Sequence, residues 1–85
     1  MRLIATEYFA RLYKKLPLDV RDRADKAILR LERFPHYPSL GHKKMGGYED
    51  IYEILISNNY RITYQKTGDI VYLRKIGTHD LLNNP

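Results

Sequence analysis

The sequence predicts an α+β fold of two layers, and three observations carry that expectation. Apolar residues recur at helical spacing through the first third of the chain. After residue 50 the pattern shifts to β-branched and aromatic strands. Prolines, asparagines and glycines stand between the segments where turns are needed. The expected order is β-α-α-β-β-β, within a single domain spanning residues 1–85. A short N-terminal strand and a two-helix hairpin pack on a three- to four-stranded antiparallel sheet.

The elements follow in order. "MRLIAT" is short and apolar, suited to an edge strand. From Thr6, a candidate N-cap, Phe9, Leu12, Tyr13 and Leu16 fall on one helical face, and Pro17 ends that helix. Asp19 can cap the second helix, with Asp22 in its first turn, where the helix dipole favours negative charge. Val20, Ala24, Ala27, Ile28, Leu31 and Phe34 line its apolar stripe, and the alanines would let the first helix approach closely. Pro35 and Pro38 stop it.

Three strands are expected at Tyr52–Ile56, Tyr60–Lys66 and Ile70–Ile76. They are joined by "NN" and "TGD", turns in which Asn and Gly accept positive φ cheaply. Alternation puts Tyr60, Ile62 and Tyr64 on one face of the middle strand and Arg61, Thr63 and Gln65 on the other. Glu53 falls on the same polar face as Arg61 if the first hairpin is in simple register. The last strand is apolar on both parities, so the sides taken by Arg74 and Lys75 stay open. The expected core contains Val20, Ala24, Ile28, Leu31, Ile54, Ile62 and Tyr64.

Composition narrows the function. The chain has 85 residues, no cysteine and a formal charge of +5. A domain of this size buries roughly 60–65% of its unfolded surface, so its core has to be economical. Without cysteine there is no disulfide, thiolate metal site or thiol nucleophile, which favours a cytoplasmic setting. No apolar run reaches the length of a membrane span. The basic balance suits an anionic partner, nucleic acid or acidic protein. His36, His42 and His79 are scattered without ligand spacing, so neither metal nor other cofactor is expected.

With these elements in place, "HKKMGGYEDIYEI", "NYRITYQ" and "RKIGTHDLL" make the chain resemble the RelE/ParE superfamily of toxin–antitoxin toxins along nearly its whole length. Tyr60-Arg61-Ile62-Thr63-Tyr64 is similar to a pattern of the RNA-cleaving RelE and YoeB branches, and "GTHDLL" to the terminal motif of the YafQ branch. The resemblance implies an mRNA endoribonuclease, usually acting on the ribosome and silenced by a bound antitoxin. It gives Arg61 the role of contacting the scissile phosphate and His79 that of the terminal catalytic residue.

The chemistry agrees with those residue types. Metal-free RNA cleavage by 2′-oxygen attack needs a base for the 2′ proton, a cation for the phosphoryl oxygens and an acid for the leaving 5′-oxygen. An imidazole exchanges protons near neutrality, and a guanidinium meets two phosphate oxygens at once. The base is left between His42 and Glu53. Lys43, Lys44, Tyr60 and Lys75 are candidate RNA contacts, with Tyr48 a further stacking candidate. The chain also departs from the family. RelE has lysines on the strand that here reads "YEILIS"; Ser39 stands near the loop position of the YoeB base; Leu81 and Leu82 stand where a terminal aromatic is common.

Two other readings remain. One is a ParE-like toxin that poisons gyrase and cuts nothing; the pairing of Arg61 with His79 argues against it. The other is a non-catalytic binding module, which the missing terminal aromatic favours. The expected protein partner is an acidic or amphipathic antitoxin segment covering the basic sheet face.

Overall fold

A computed structural model describes residues 2–35, 43–47 and 50–78. The elements are β1 (Arg2–Ala5), α1 (Glu7–Lys14), α2 (Leu18–Arg33), β2 (Lys43–Lys44), β3 (Ile51–Leu55), β4 (Tyr60–Thr67) and β5 (Ile70–Thr78). They form two helices packed on a five-stranded mixed sheet, in the order β1-β5-β4-β3-β2.

Thr6 is the N-cap of α1. Its Oγ1 accepts from Phe9 N at 3.1 Å and donates to Leu73 O at 2.9 Å, so one hydroxyl both starts the helix and ties it to β5. α2 begins two residues earlier than expected. Pro17 occupies its N-cap with no side-chain bond, and Asp19 lies in the first turn instead of capping it. Proline has its φ already set for a helix entry, and Asp19 still meets the positive end of the dipole.

The core cluster is built from Phe9, Ala24, Ala27, Leu31 and the inward residues of β3, β4 and β5. Leu31, Ile54 and Ile62 are wholly buried, while Ile28 packs at the margin. Phe34 corrects the expected stripe: it is 61% exposed at the C-cap, where α2 has already left helical geometry. Of the two layers' contacts, the α1 backbone runs close along β5 rather than along α2. The two helices are linked by longer side chains. Tyr13 donates to Asp25 at 2.5 Å, and the Arg21 guanidinium lies 5.7 Å from the Tyr13 ring centroid.

The sheet also departs from the all-antiparallel expectation. β1 pairs parallel with β5, Arg2 to Ile70 through Ala5 to Leu73. Four residues of apolar pattern carry no information on direction; the helical layer supplies the crossover that a parallel partner needs. Lys43–Lys44 forms the fifth strand, short and at the edge, beside β3. Between β4 and β5 the register shifts at Thr63/Tyr64: Lys75 pairs with Thr63 and Leu73 with Tyr64. Arg74 is the extra residue of a bulge.

Candidate functional site

Cross-strand partners share a face of the sheet. Lys43 pairs with Glu53, Glu53 with Thr63 and Thr63 with Lys75, a row running across four strands. In the next row Leu55 pairs with Arg61 and Arg61 with Gly77. This face therefore joins Lys43, Glu53, Arg61 and Lys75, four of the residues singled out from sequence.

At its centre Arg61 Nε forms an ion pair with Glu53 Oε1 at 3.1 Å, with side-chain exposures of 20% and 13%. The pair is diagonal across β3 and β4, within reach of two long side chains. Arg61 Nη1 turns the other way and donates to the carbonyls of Ser57 at 2.7 Å, Asn58 at 3.1 Å and Tyr60 at 3.1 Å. Nη2 lies between these two commitments. The guanidinium is thus fixed in direction by the hairpin that carries it.

The face is less open than alternation suggested. Thr63 is fully buried and Ile51 nearly so. Long Glu and Arg stems can cover apolar atoms while their charged heads meet each other. Lys75 reaches the edge of the sheet, where its Nζ is 5.7 Å from the centroid of the half-exposed Tyr8 ring on α1.

Arg74 was missed as a contributor. Its Nη1 donates to Gln65 Oε1 at 3.0 Å, on the side shared with Arg61. Strict alternation cannot give consecutive Arg74 and Lys75 one side; the bulge does. Two other candidates fall elsewhere. Lys44 pairs with Tyr52, and Tyr60 has the parity of Ile62, so both belong to the helix-covered side by register. Tyr52 stacks on Tyr64 there, ring centroids 5.4 Å apart, and burial raises the Tyr64 phenol pKa well above its ordinary value. His79, His42 and Tyr48 lie outside the described residues, as do Ser39, Leu81 and Leu82.

A hollow of about 290 Å³ opens on the opposite side of the sheet, lined by Ala5, Phe9, Tyr13, Asp25, Ile28 and Leu73. Its walls are almost wholly apolar, so the charged chemistry and the apolar concavity stand on different faces. Among the described residues no helix is long and apolar enough to cross a membrane, and no cluster of acidic or histidine side chains has metal-binding geometry.

Solved structures share this architecture. A copper-bound mutant toxin from Helicobacter pylori superposes with a TM-score of 0.80 at 22% identity, over 96% of this chain and 98% of that one. RelE in the Escherichia coli RelBE toxin–antitoxin complex gives 0.72 at 26% identity, over 91% of this chain and 94% of that one. YafQ from E. coli gives 0.81 at 11% identity, over 99% and 100%. No curated protein sequence matches significantly. Two helices on a five-stranded mixed sheet with a basic outer face define a toxin of the RelE, YafQ, YoeB and ParE fold. Residues 18–84 match the ParE-like toxin domain, and the chain belongs to that family.

Proposed function

We propose that the chain is the toxin of a type II toxin–antitoxin pair and acts as a metal-independent mRNA endoribonuclease, probed best on the ribosome. The observation that carries the reading is Arg61 on the polar sheet face, held by its hairpin and by Glu53 at 3.1 Å, and paired in register with Gly77, two residues before His79. In this mechanism the 2′-oxygen bonds to phosphorus as the bond to the 5′-oxygen breaks. The products are a 2′,3′-cyclic phosphate and a free 5′-hydroxyl. Arg61 stabilises the phosphoryl charge, Glu53 or His42 takes the 2′ proton, and His79 protonates the leaving oxygen. Lys43, Lys75 and Arg74 would hold flanking phosphates, with Lys44, Tyr60 and Tyr48 as outlying contacts. An antitoxin segment with acidic character would cover this basic face, as the RelE, YafQ and archaeal RelE relatives are found in antitoxin complexes.

The test is single-turnover cleavage of a ribosome-bound message. His79→Ala should slow cleavage by about 10²–10⁴-fold, the usual worth of a general acid or base. Equal rates for the two proteins would reduce His79 to a turn residue. A second reading, gyrase poisoning without cleavage, is favoured by the ParE-like family match. Its signature on induction is a DNA-damage response with translation continuing, the reverse of that expected here.

A further inference from the structure

We propose that Glu53 is a built-in competitor for the RNA phosphate: its carboxylate occupies the edge of Arg61 that a phosphodiester must take, and so sets how tightly the toxin holds RNA. The proposal rests on Arg61 being the phosphate ligand, as read above. A guanidinium offers two forks for bidentate binding, one formed by Nε with an Nη group and one by the two Nη groups. Glu53 Oε1 lies 3.1 Å from Nε as its ion-pair partner, which obstructs the first. Three turn carbonyls take Nη1, the nearest at 2.7 Å, which closes the second. No bond from Nη2 to a described residue is found, so a phosphate arriving at the resting site meets one nitrogen and not a fork.

The two obstructions differ in how readily they yield. The carbonyls belong to the turn that Arg61 itself anchors, and releasing them would leave that turn without its side-chain clamp. The carboxylate is on a side chain with rotatable bonds, and a phosphate oxygen replaces it charge for charge. Glu53 is therefore the ligand that leaves. Neutral in combination, the resting pair also hides one cation of the basic face from RNA, and it spares Arg61 an unpaired charge when the site is empty.

The experiment measures binding of a 2′-O-methylated, uncleavable single-stranded RNA, free and on programmed ribosomes, by the full chain and its variants. Glu53→Gln should bind about five- to twenty-fold more tightly, the range of a coupled charged pair. Its log–log salt dependence should steepen by about 0.7, one further phosphate contact to a single strand. Asp69→Asn removes the same charge at the exposed turn beyond the far end of β4 and should change binding less than about twofold. In an Arg61→Ala background the gain from Glu53→Gln should vanish. Should Arg61→Ala fail to fold, Arg61→Gln, whose amide can still donate to the turn, takes its place.

Unchanged or weaker binding by Glu53→Gln, with Arg61 variants still impaired, would overturn the competition and leave the phosphate reading standing. An equal gain from Asp69→Asn would overturn it too, since bulk charge would then explain the effect. Arg61 variants binding as well as wild type, or no binding by any of the proteins, would overturn the phosphate reading and the competition with it.

Discussion

The two hairpin turns of the sheet are closed in different ways. Between β4 and β5, Gly68 takes φ +60 at the first central position, and the strands meet again at Thr67 and Ile70. That is backbone economy: glycine adopts the conformation a tight two-residue turn demands. Between β3 and β4 no residue takes positive φ; among the described residues the sole non-glycine in that region is Asp50. The expectation that Asn58 and Asn59 would supply it is corrected. Ile56 N and Ser57 N both donate to Tyr60 O, at 3.0 and 3.3 Å, and the Arg61 guanidinium gathers the outward carbonyls. One turn is a property of its own backbone. The other borrows the side chain proposed to bind phosphate, so there fold and site depend on the same residue.

The strongest way to break this contrast is Arg61→Ala. It should abolish growth arrest and also lower unfolding free energy by about 2–3 kcal/mol, because it leaves Glu53 unpaired and the turn carbonyls unmet. Antitoxin-free thermal or urea unfolding measures the second effect; wild-type stability would show that the clamp is incidental. Gly68→Ala should cost about 1–2 kcal/mol through its backbone conformation, since no neighbouring atom lies close enough to obstruct a Cβ. Cleavage by the folded fraction should stay at the wild-type rate. Lost activity there would mean that the second turn is coupled to the site after all.

A change outside both turns calibrates the scale. Tyr13→Phe should cost about 0.5–1 kcal/mol by removing the bond to Asp25. The Tyr13 phenol has its pKa raised above 10.0, first by that hydrogen bond, then by burial and by the Asp25 charge, so folding favours the neutral form. Its contribution is complete below the unfolded value and is lost as pH rises through the higher folded one. The stability gap between wild type and Tyr13→Phe should therefore close on going well above pH 10. A gap that stays constant there would remove the hydrogen bond as its cause. The smallest effect is expected from Asn58→Ala. With no positive φ to supply, it should change stability by less than about 0.5 kcal/mol. A larger loss in urea unfolding would give the asparagine side chain a role that the turn geometry does not.

The layers, the parity of the middle strand and the inward residues are legible in the chain's local pattern. Those features arise from local period: Ile54, Ile62 and Tyr64 are buried because alternation along an extended chain leaves them no other side. Thr6 as a cap and Gly68 as a turn residue were legible for the same reason, each being a demand of one or two backbone angles. Features that depend on non-local pairing emerge only when the strands assemble. Whether β1 runs parallel to β5, whether Lys43–Lys44 joins the sheet, and on which side Arg74 and Lys75 stand all follow from register and from one bulge. No pattern within a single strand encodes them. The meeting of Arg61 with Glu53 needed both: alternation put the two on one face, and the register of β3 on β4 brought guanidinium and carboxylate to 3.1 Å.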